Sequence, residues 1–325
     1  MKIAISELRE KILNTLTANG FTENDADIIA DYLLWADMSG NKTQGLIKMT
    51  GTEPLQHIKP QHEIRIERDT KLSRLINAGA NPAPLVSGIA TDAVISKAKE
   101  HGFGLVGVHN YFSSNGAQAY YAERIAKEDL IGIVLCSQPA SVAPFNTVDP
   151  LFGTNPIGFS FPTQNEPLVF DMATSIMTWY GLVLAKARGE QIPDNMAIDK
   201  DGNITTDPVA AMGGALLPFD RGYKGSGIGM VIEILGGPLV NAAYCDLKDE
   251  WGALFIAIDP DLLVDVEQFK TSCSDLISKV KSARTQPDSG EVRLPGERAL
   301  LARKEAEESG LVEVDEAILK ELGYI

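Results

Sequence analysis

Cysteine is scarce in this sequence: Cys136, Cys245 and Cys273 stand far apart and form no CxxC pair. That excludes a disulfide framework and a cysteine-based zinc site. Cys273 shares a helical stripe with Phe269, Leu276 and Val280, so it reads as a small buried hydrophobe. Positive charge is lacking too. The formal net charge is −15 over 325 residues. Neutralising phosphate takes clustered Lys and Arg, so a nucleic-acid binder is excluded, as is adhesion to an anionic membrane surface. No apolar run approaches the ~20 residues that span a bilayer. Met1 to Ser6 has neither an apolar stretch nor a cleavage site. No signal peptide is expected there, and a reducing cytoplasm is the expected compartment.

Several catalytic signatures are missing as well. No GxGxxG follows the first strand, so the dinucleotide fingerprint of a Rossmann fold is absent. No G-x-S-x-G elbow is present, which lowers a hydrolase reading. His57, His62, His101 and His109 lack metal-ligand spacing, so no metal is expected. Asp199-Lys200-Asp201-Gly202-Asn203 reads as a turn, because the calcium-loop register is wrong and the closing glutamate is absent. There is no internal repeat or low-complexity segment.

What is present describes an α/β protein. With 44% hydrophobic and 22% charged residues the chain is an ordinary packed globular protein. At ~150 residues per domain, two domains are expected. Leu8, Ile12 and Leu16 recur at i+4 up to Asn19-Gly20. Thr22-Glu23-Asn24-Asp25 has capping-box spacing before the stripe Ala26, Ile29, Ala30 and Leu33, which ends near Ser39-Gly40. Helices are expected over 89–100, 117–127, 175–188, 225–244, 266–284, 298–308 and 315–322. Strands are expected over 103–108, 130–136, 168–171 and 253–258. Both chain ends are helical. The expected division is therefore 1–72 plus 286–325 as a helical substrate and dimerisation domain, with 73–285 as an α/β cofactor-binding core.

Three short segments carry candidate chemistry. Lys224 opens an apparent helix whose next residues are Gly225-Ser226-Gly227-Ile228-Gly229, so a cation and free N–H groups together favour an anion there. Close helix packing is the plainer reading of the glycines. Gly153-Thr154-Asn155-Pro156 and Asp171-Met172-Ala173-Thr174-Ser175 are strand–turn junctions rich in small polar residues.

Taken together, these pieces resemble the malate/L-lactate dehydrogenase family of the non-Rossmann type. Its relatives include sulfolactate, ureidoglycolate and diketogulonate dehydrogenases and the piperideine- and pyrroline-carboxylate reductases. Six strings stand in family order. They are Ala36-Asp37-Met38-Ser39-Gly40, Gly153-Thr154-Asn155-Pro156 and Phe170-Asp171-Met172-Ala173-Thr174-Ser175, then Thr205-Thr206-Asp207-Pro208, Gly222-Tyr223-Lys224-Gly225-Ser226-Gly227 and Leu294-Pro295-Gly296-Glu297-Arg298. The resemblance implies a homodimer with an unusual α/β nicotinamide-binding core and an active site near the subunit interface. By position, it puts cofactor contacts on Asp171, Met172, Ala173, Thr174, Ser175 and Ile176, on Lys224 and Gly225, and on Gly296, Glu297 and Arg298. The Gly116 loop before Tyr120-Tyr121 is expected at the same site.

One departure outweighs the matches. The family's active-site string is Ser-His-Gly, two residues, then Arg; the histidine donates a proton and the arginine holds the substrate carboxylate. Here the string is Thr43-Gln44-Gly45-Leu46-Ile47-Lys48. Lys48 still pairs with a carboxylate, as a point charge without the bidentate fork. Gln44 is no general acid near neutral pH. The loop where relatives often carry a second histidine reads Tyr111-Phe112-Ser113-Ser114-Asn115-Gly116. A ketone needs a proton as hydride arrives; an iminium does not. The expected activity is hydride transfer from NADH or NADPH to a small 2-imino or 2-keto carboxylate, with the imine favoured. Lys48 with a lowered pKa is an alternative acid; His109 is a third, although a lone histidine after a strand reads first as a surface residue. The contrasting expectation is a catalytically silent homologue that binds cofactor or a small acid. Cofactor choice turns on whether Arg188, Arg298 or Arg303 meets a 2′-phosphate.

Overall fold

The computed structural model describes residues 1–50, 54–245 and 251–324. A short strand, β1 (Lys2–Ala4), leads into α1 (Ile5–Ala18), which buries Leu8, Ile12 and Leu16 along its i+4 stripe. α2 (Glu23–Met38) starts where Thr22 Oγ1 accepts the Asp25 N–H at 3.1 Å. Both helices lie where the periodicity expects them. One turn of helix, α3 (Ile47–Thr50), follows the polar turn after α2.

The sheet begins with β2 (Arg65–Asp69) and β3 (Ser73–Asn77). α4 (Ala83–His101) leads to β4 (Phe103–Tyr111), α5 (Gln118–Ala126) to β5 (Ile131–Cys136), then β6 (Ile157–Phe161) and β7 (Leu168–Met172). A side unit holds α6 (Trp179–Arg188), β8 (Ala197–Ile198), β9 (Ile204–Thr205), α7 (Pro208–Met212) and β10 (Ala215–Leu216). α8 (Tyr223–Gly236) precedes β11 (Trp251–Ile258), and α9 (Val266–Lys281), α10 (Glu297–Ser309), β12 (Leu311–Glu313) and α11 (Glu316–Glu321) end the chain. β12 pairs with β1, so the two chain ends meet.

Seven strands form one sheet in the order β2-β3-β4-β11-β5-β6-β7. Only β3 and β4 run parallel; every other neighbouring pair is antiparallel. That topology is α/β without the parallel doubly wound sheet of a Rossmann domain, as expected from the missing fingerprint. Side chains alternate along β11: Ala253, Phe255 and Ala257 join the core under α2, α4 and α5, while Leu254 faces Ile232 of α8. No helix among the described residues is long and apolar enough to cross a membrane.

Several sequence expectations need correction. α4 begins at Ala83, six residues before Ile89. α6 begins at Trp179 rather than Ser175, because Thr178 caps it and Ser175 bridges to Pro218 instead. α8 stops at Gly236, not Tyr244, since Pro238 lacks the N–H that would continue the ladder. Cys273 is only half-buried, and Leu276 and Val280 on its stripe are exposed.

Candidate functional site

Asp37 fastens the turn that carries Gln44. Its carboxylate is buried in α2 and accepts the Leu46 N–H at 2.5 Å, with Lys42 Nζ 3.8 Å away. Burial pushes the carboxyl up to about 6, against the opposing pull of the Leu46 N–H and Lys42. A Cβ at Gly45 would lie 2.1 Å from Asp37 Oδ2, so the turn admits no side chain there. Gln44 and Lys48 are thereby placed one turn apart. Lys48 Nζ donates to the Ser114 carbonyl at 3.2 Å.

The loop from β4 to α5 meets this turn. Ala117 N–H donates to Tyr32 OH at 3.0 Å, and Tyr32 stacks on Tyr121 with ring centroids 5.7 Å apart. Gly116 has φ +79°, and a Cβ there would fall 1.5 Å from Tyr32 OH and 3.3 Å from Gln44 Oε1. Gln44 therefore lies directly over Gly116. Asn115 Nδ2 donates to Ser87 Oγ at 2.9 Å, and Gln118 Nε2 donates to the Gly116 carbonyl at 3.1 Å. Five side-chain atoms of this neighbourhood are buried without a hydrogen-bond partner among the described residues: Gln44 Oε1, Tyr111 OH, Ser113 Oγ, Asn115 Oδ1 and Gln118 Oε1. Buried polar groups are paired as a rule, so such a concentration is unusual.

Asp171 ends β7 against the first turn of α5, accepting the Ala119 N–H at 3.0 Å. Asp171 is exposed to the cleft. Desolvation where its carboxylate meets α5 pushes the carboxyl up to about 6, although the backbone N–H groups of Ala119 and Gln118 pull it down. Burial raises the Cys136 thiol as well; Asp171 adds to that rise and Lys48 opposes it, so both charges act on this one sulfur.

The cleft extends from Asp171 and Ala119 along β7 to Gly296 and Glu297 at the start of α10, enclosing about 610 Å³. Arg303 in its wall is 6% exposed, donates to Ser39 Oγ and Glu123, and sits over the Trp35 ring. Glu297 accepts the Leu294 N–H and pairs with Lys281 at 2.5 Å. Arg298 is exposed and outside the cleft wall. Arg188 ends α6 in the side unit.

Met172 and Ala173 lead from β7 to Thr174, the junction of the site with α8. Thr174 N–H and Oγ1 donate to the Thr154 carbonyl, and its own carbonyl accepts the Phe219 N–H. Ser175 Oγ donates to the Met177 carbonyl, and Ile176 N–H to that of Leu217. Asn155 Nδ2 donates to the Gly229 carbonyl and to Glu233 on α8. Lys224 is exposed in the first turn of α8. Asp220 Oδ1 accepts the N–H groups of Gly222, the N-cap of α8, and of Gly225 in its first turn. His109 is no surface residue. It is 7% exposed, and its Nε2 lies 2.9 Å from Glu67 on β2, where it is engaged rather than with Gln44.

Residues 3–323 match the family described as malate/L-lactate dehydrogenase. The chain belongs to that family. It is 36% identical to the L-sulfolactate dehydrogenase of Methanothermobacter thermautotrophicus, covering 99% of this chain and 95% of that protein. It is 30% identical to a Δ1-pyrroline-2-carboxylate/Δ1-piperideine-2-carboxylate reductase of Pseudomonas putida, covering 99% and 97%. The malate dehydrogenase structure from Pyrococcus horikoshii superimposes with a TM-score of 0.87 at 28% identity, over 100% of this chain and 96% of that one. The chain is an enzyme, a nicotinamide-dependent oxidoreductase of the class that acts on small carboxylates.

The residues present fit a nicotinamide cofactor. A cleft runs along β7 to Asp171 and Ala119 at the first turn of α5, where Gln118, whose Oε1 lacks a partner among the described residues, is the adjoining residue. Reading the family strings alone missed Gln118 and the part played by Asp37. Asp37 stands inside a quoted string, but its bond to Leu46 spans nine residues and leaves no periodic trace. Gln118 is a polar residue in an otherwise small-residue helix start, and that oddity was its one visible signal.

Proposed function

We propose that this enzyme reduces the C=N bond of a small 2-imino carboxylate with NADH or NADPH, as a homodimer in a reducing cytoplasm. One observation carries the reading: Gln44 presents a buried amide oxygen that lacks a donor, and an amide supplies no proton near neutral pH. Ketone reduction builds an alkoxide, and the want of a positioned acid typically costs ~10² to 10⁴ in rate. Reduction of an iminium yields a neutral amine with no proton transfer in that step. When bound, the reduced nicotinamide supplies a hydride with its two electrons to the C=N carbon and is left oxidised. Lys48 Nζ holds the substrate carboxylate as a point charge, and Gln44 orients the nitrogen. Asp171 to Ile176, Lys224, Gly225 and Gly296 to Arg298 hold the cofactor in this reading. The name of the Pseudomonas putida reductase supports the substrate class.

The homodimer draws support from α8. Gly225, Gly229 and Gly236 pack inward, while Met230, Val231 and Ile234 leave apolar side chains exposed, as surfaces that meet a partner do. Three free cysteines support the reducing compartment.

The test follows NADH and NADPH absorbance with pyruvate and oxaloacetate against pyrroline-2-carboxylate and piperideine-2-carboxylate. Turnover of the cyclic imines alone is the expected result. Efficient keto-acid turnover overturns it and points to Lys48 as the acid. Cofactor binding without turnover of either class would leave a silent binder.

A further inference from the structure

Gln118 has no task in the reading above, and the structure assigns it one. The hydrogen bonds orient its amide: Nε2 donates to the Gly116 carbonyl at 3.1 Å and to Cys136 Sγ at 3.5 Å, so Oε1 is the opposite end. That oxygen is buried and lacks a donor among the described residues, as does Gln44 Oε1. The two side chains approach the same residue from different elements. Gln44 Oε1 lies 3.3 Å from the Cβ position of Gly116, while Gln118 holds the Gly116 carbonyl. Lys48 binds the same loop two residues earlier, at Ser114. A cation and two orphaned amide acceptors are thus gathered on one loop.

Such a set discriminates between ligands by hydrogen-bond polarity. A keto oxygen is an acceptor, and buried amide oxygens repel it. An iminium or amine nitrogen brings N–H donors and satisfies them. Sites that leave buried polar groups unpaired against the wrong substrate discriminate far more strongly than apolar pockets do.

We propose that Gln118 is a specificity-determining residue, its carbonyl oxygen receiving the N–H of a carboxylate-bearing substrate and so selecting C=N over C=O. This rests on the imine reading of the site. The test compares the wild type with Gln118→Leu, which removes the acceptor, and Gln118→Glu, which keeps an oxygen acceptor in nearly the same shape. Steady-state kinetics with piperideine-2-carboxylate and with pyruvate is joined by NADH binding, followed through quenching of protein fluorescence. Gln118→Leu is expected to lose about 10- to 100-fold in kcat/KM for the imine, mostly in KM. NADH affinity is expected to stay within about threefold, and Gln118→Glu to recover part of the loss. An unchanged imine KM in Gln118→Leu overturns the role, and so does an equal fall in cofactor affinity, which would mark a merely structural part. A wild type that reduces only pyruvate overturns the imine reading and this assignment together. Imine turnover in the wild type with no response to either variant overturns the assignment alone.

Discussion

Around Gln44 five buried neutral side-chain atoms lack partners among the described residues, beside the Asp37 carboxylate held by the Leu46 N–H; in the cleft beside β7 each glutamate of the wall is already paired. Glu123 binds Arg303 and Lys127, Glu166 binds Lys304, and Glu297 binds Lys281. Unpaired neutral acceptors are tolerable where a small ligand brings donors. Paired charges instead build a wall whose bonds exist without any ligand. The cleft and the Gln44 turn are therefore expected to fail differently: the cleft by unfolding, the Gln44 turn by a change in the choice of substrate.

The largest effect expected lies in the wall. Arg303→Ala breaks a nearly buried pair with Glu123, a change that usually costs 3 kcal/mol or more; about 3 is expected here, because Lys127 stays on Glu123. Urea unfolding measures it. A loss below about 1 kcal/mol would show that the wall is not structural, and the contrast between the cleft and the turn would break.

A second effect sharpens the other side. Asp37 has a folded pKa of about 6, above its unfolded value of ~3.9. The fold therefore prefers the protonated acid. The stability it contributes is complete below pH ~4 and is lost as pH rises through about 6, by roughly 2 to 3 kcal/mol at most. Asp37→Asn is expected to flatten the fall in stability between pH 4 and 6, measured by urea unfolding at each pH. An unchanged slope would mean that the turn carrying Gln44 is not held by a strained carboxylate.

How much of this was legible beforehand follows from the range of each interaction. α1 and α2 were readable because their i+4 stripes and the Thr22 cap are local. β2 was not: all five of its residues are exposed at a sheet edge, so it lacks the alternation that reveals a half-buried strand. Nor was the strand order, since the insertion of β11 between β4 and β5 joins segments more than a hundred residues apart. The site divides along the same line. Gln44 and Lys48 stood out as departures within a recognisable string. The orphaned oxygen of Gln118 appears only when β4, α3 and α5 are assembled, because a missing partner is a property of the surroundings.

The smallest effect concerns the cofactor. The 2′-phosphate of NADPH adds nearly two negative charges, and tight binding needs a cation whose bonds are not already made. Of the three candidate arginines, Arg303 is the one in the cleft wall, and Glu123, Ser39 and Trp35 occupy it. The lysines Lys127, Lys281 and Lys304 must leave a glutamate to serve. NADH is therefore expected to bind about tenfold or more tightly than NADPH, roughly 1.4 kcal/mol, measured by fluorescence titration at fixed ionic strength. Glu297→Gln frees Lys281 and is expected to narrow that gap. A wild type that prefers NADPH would show that the wall's ion pairs open to admit a phosphate, and the cleft would then resemble the Gln44 turn more than it differs from it.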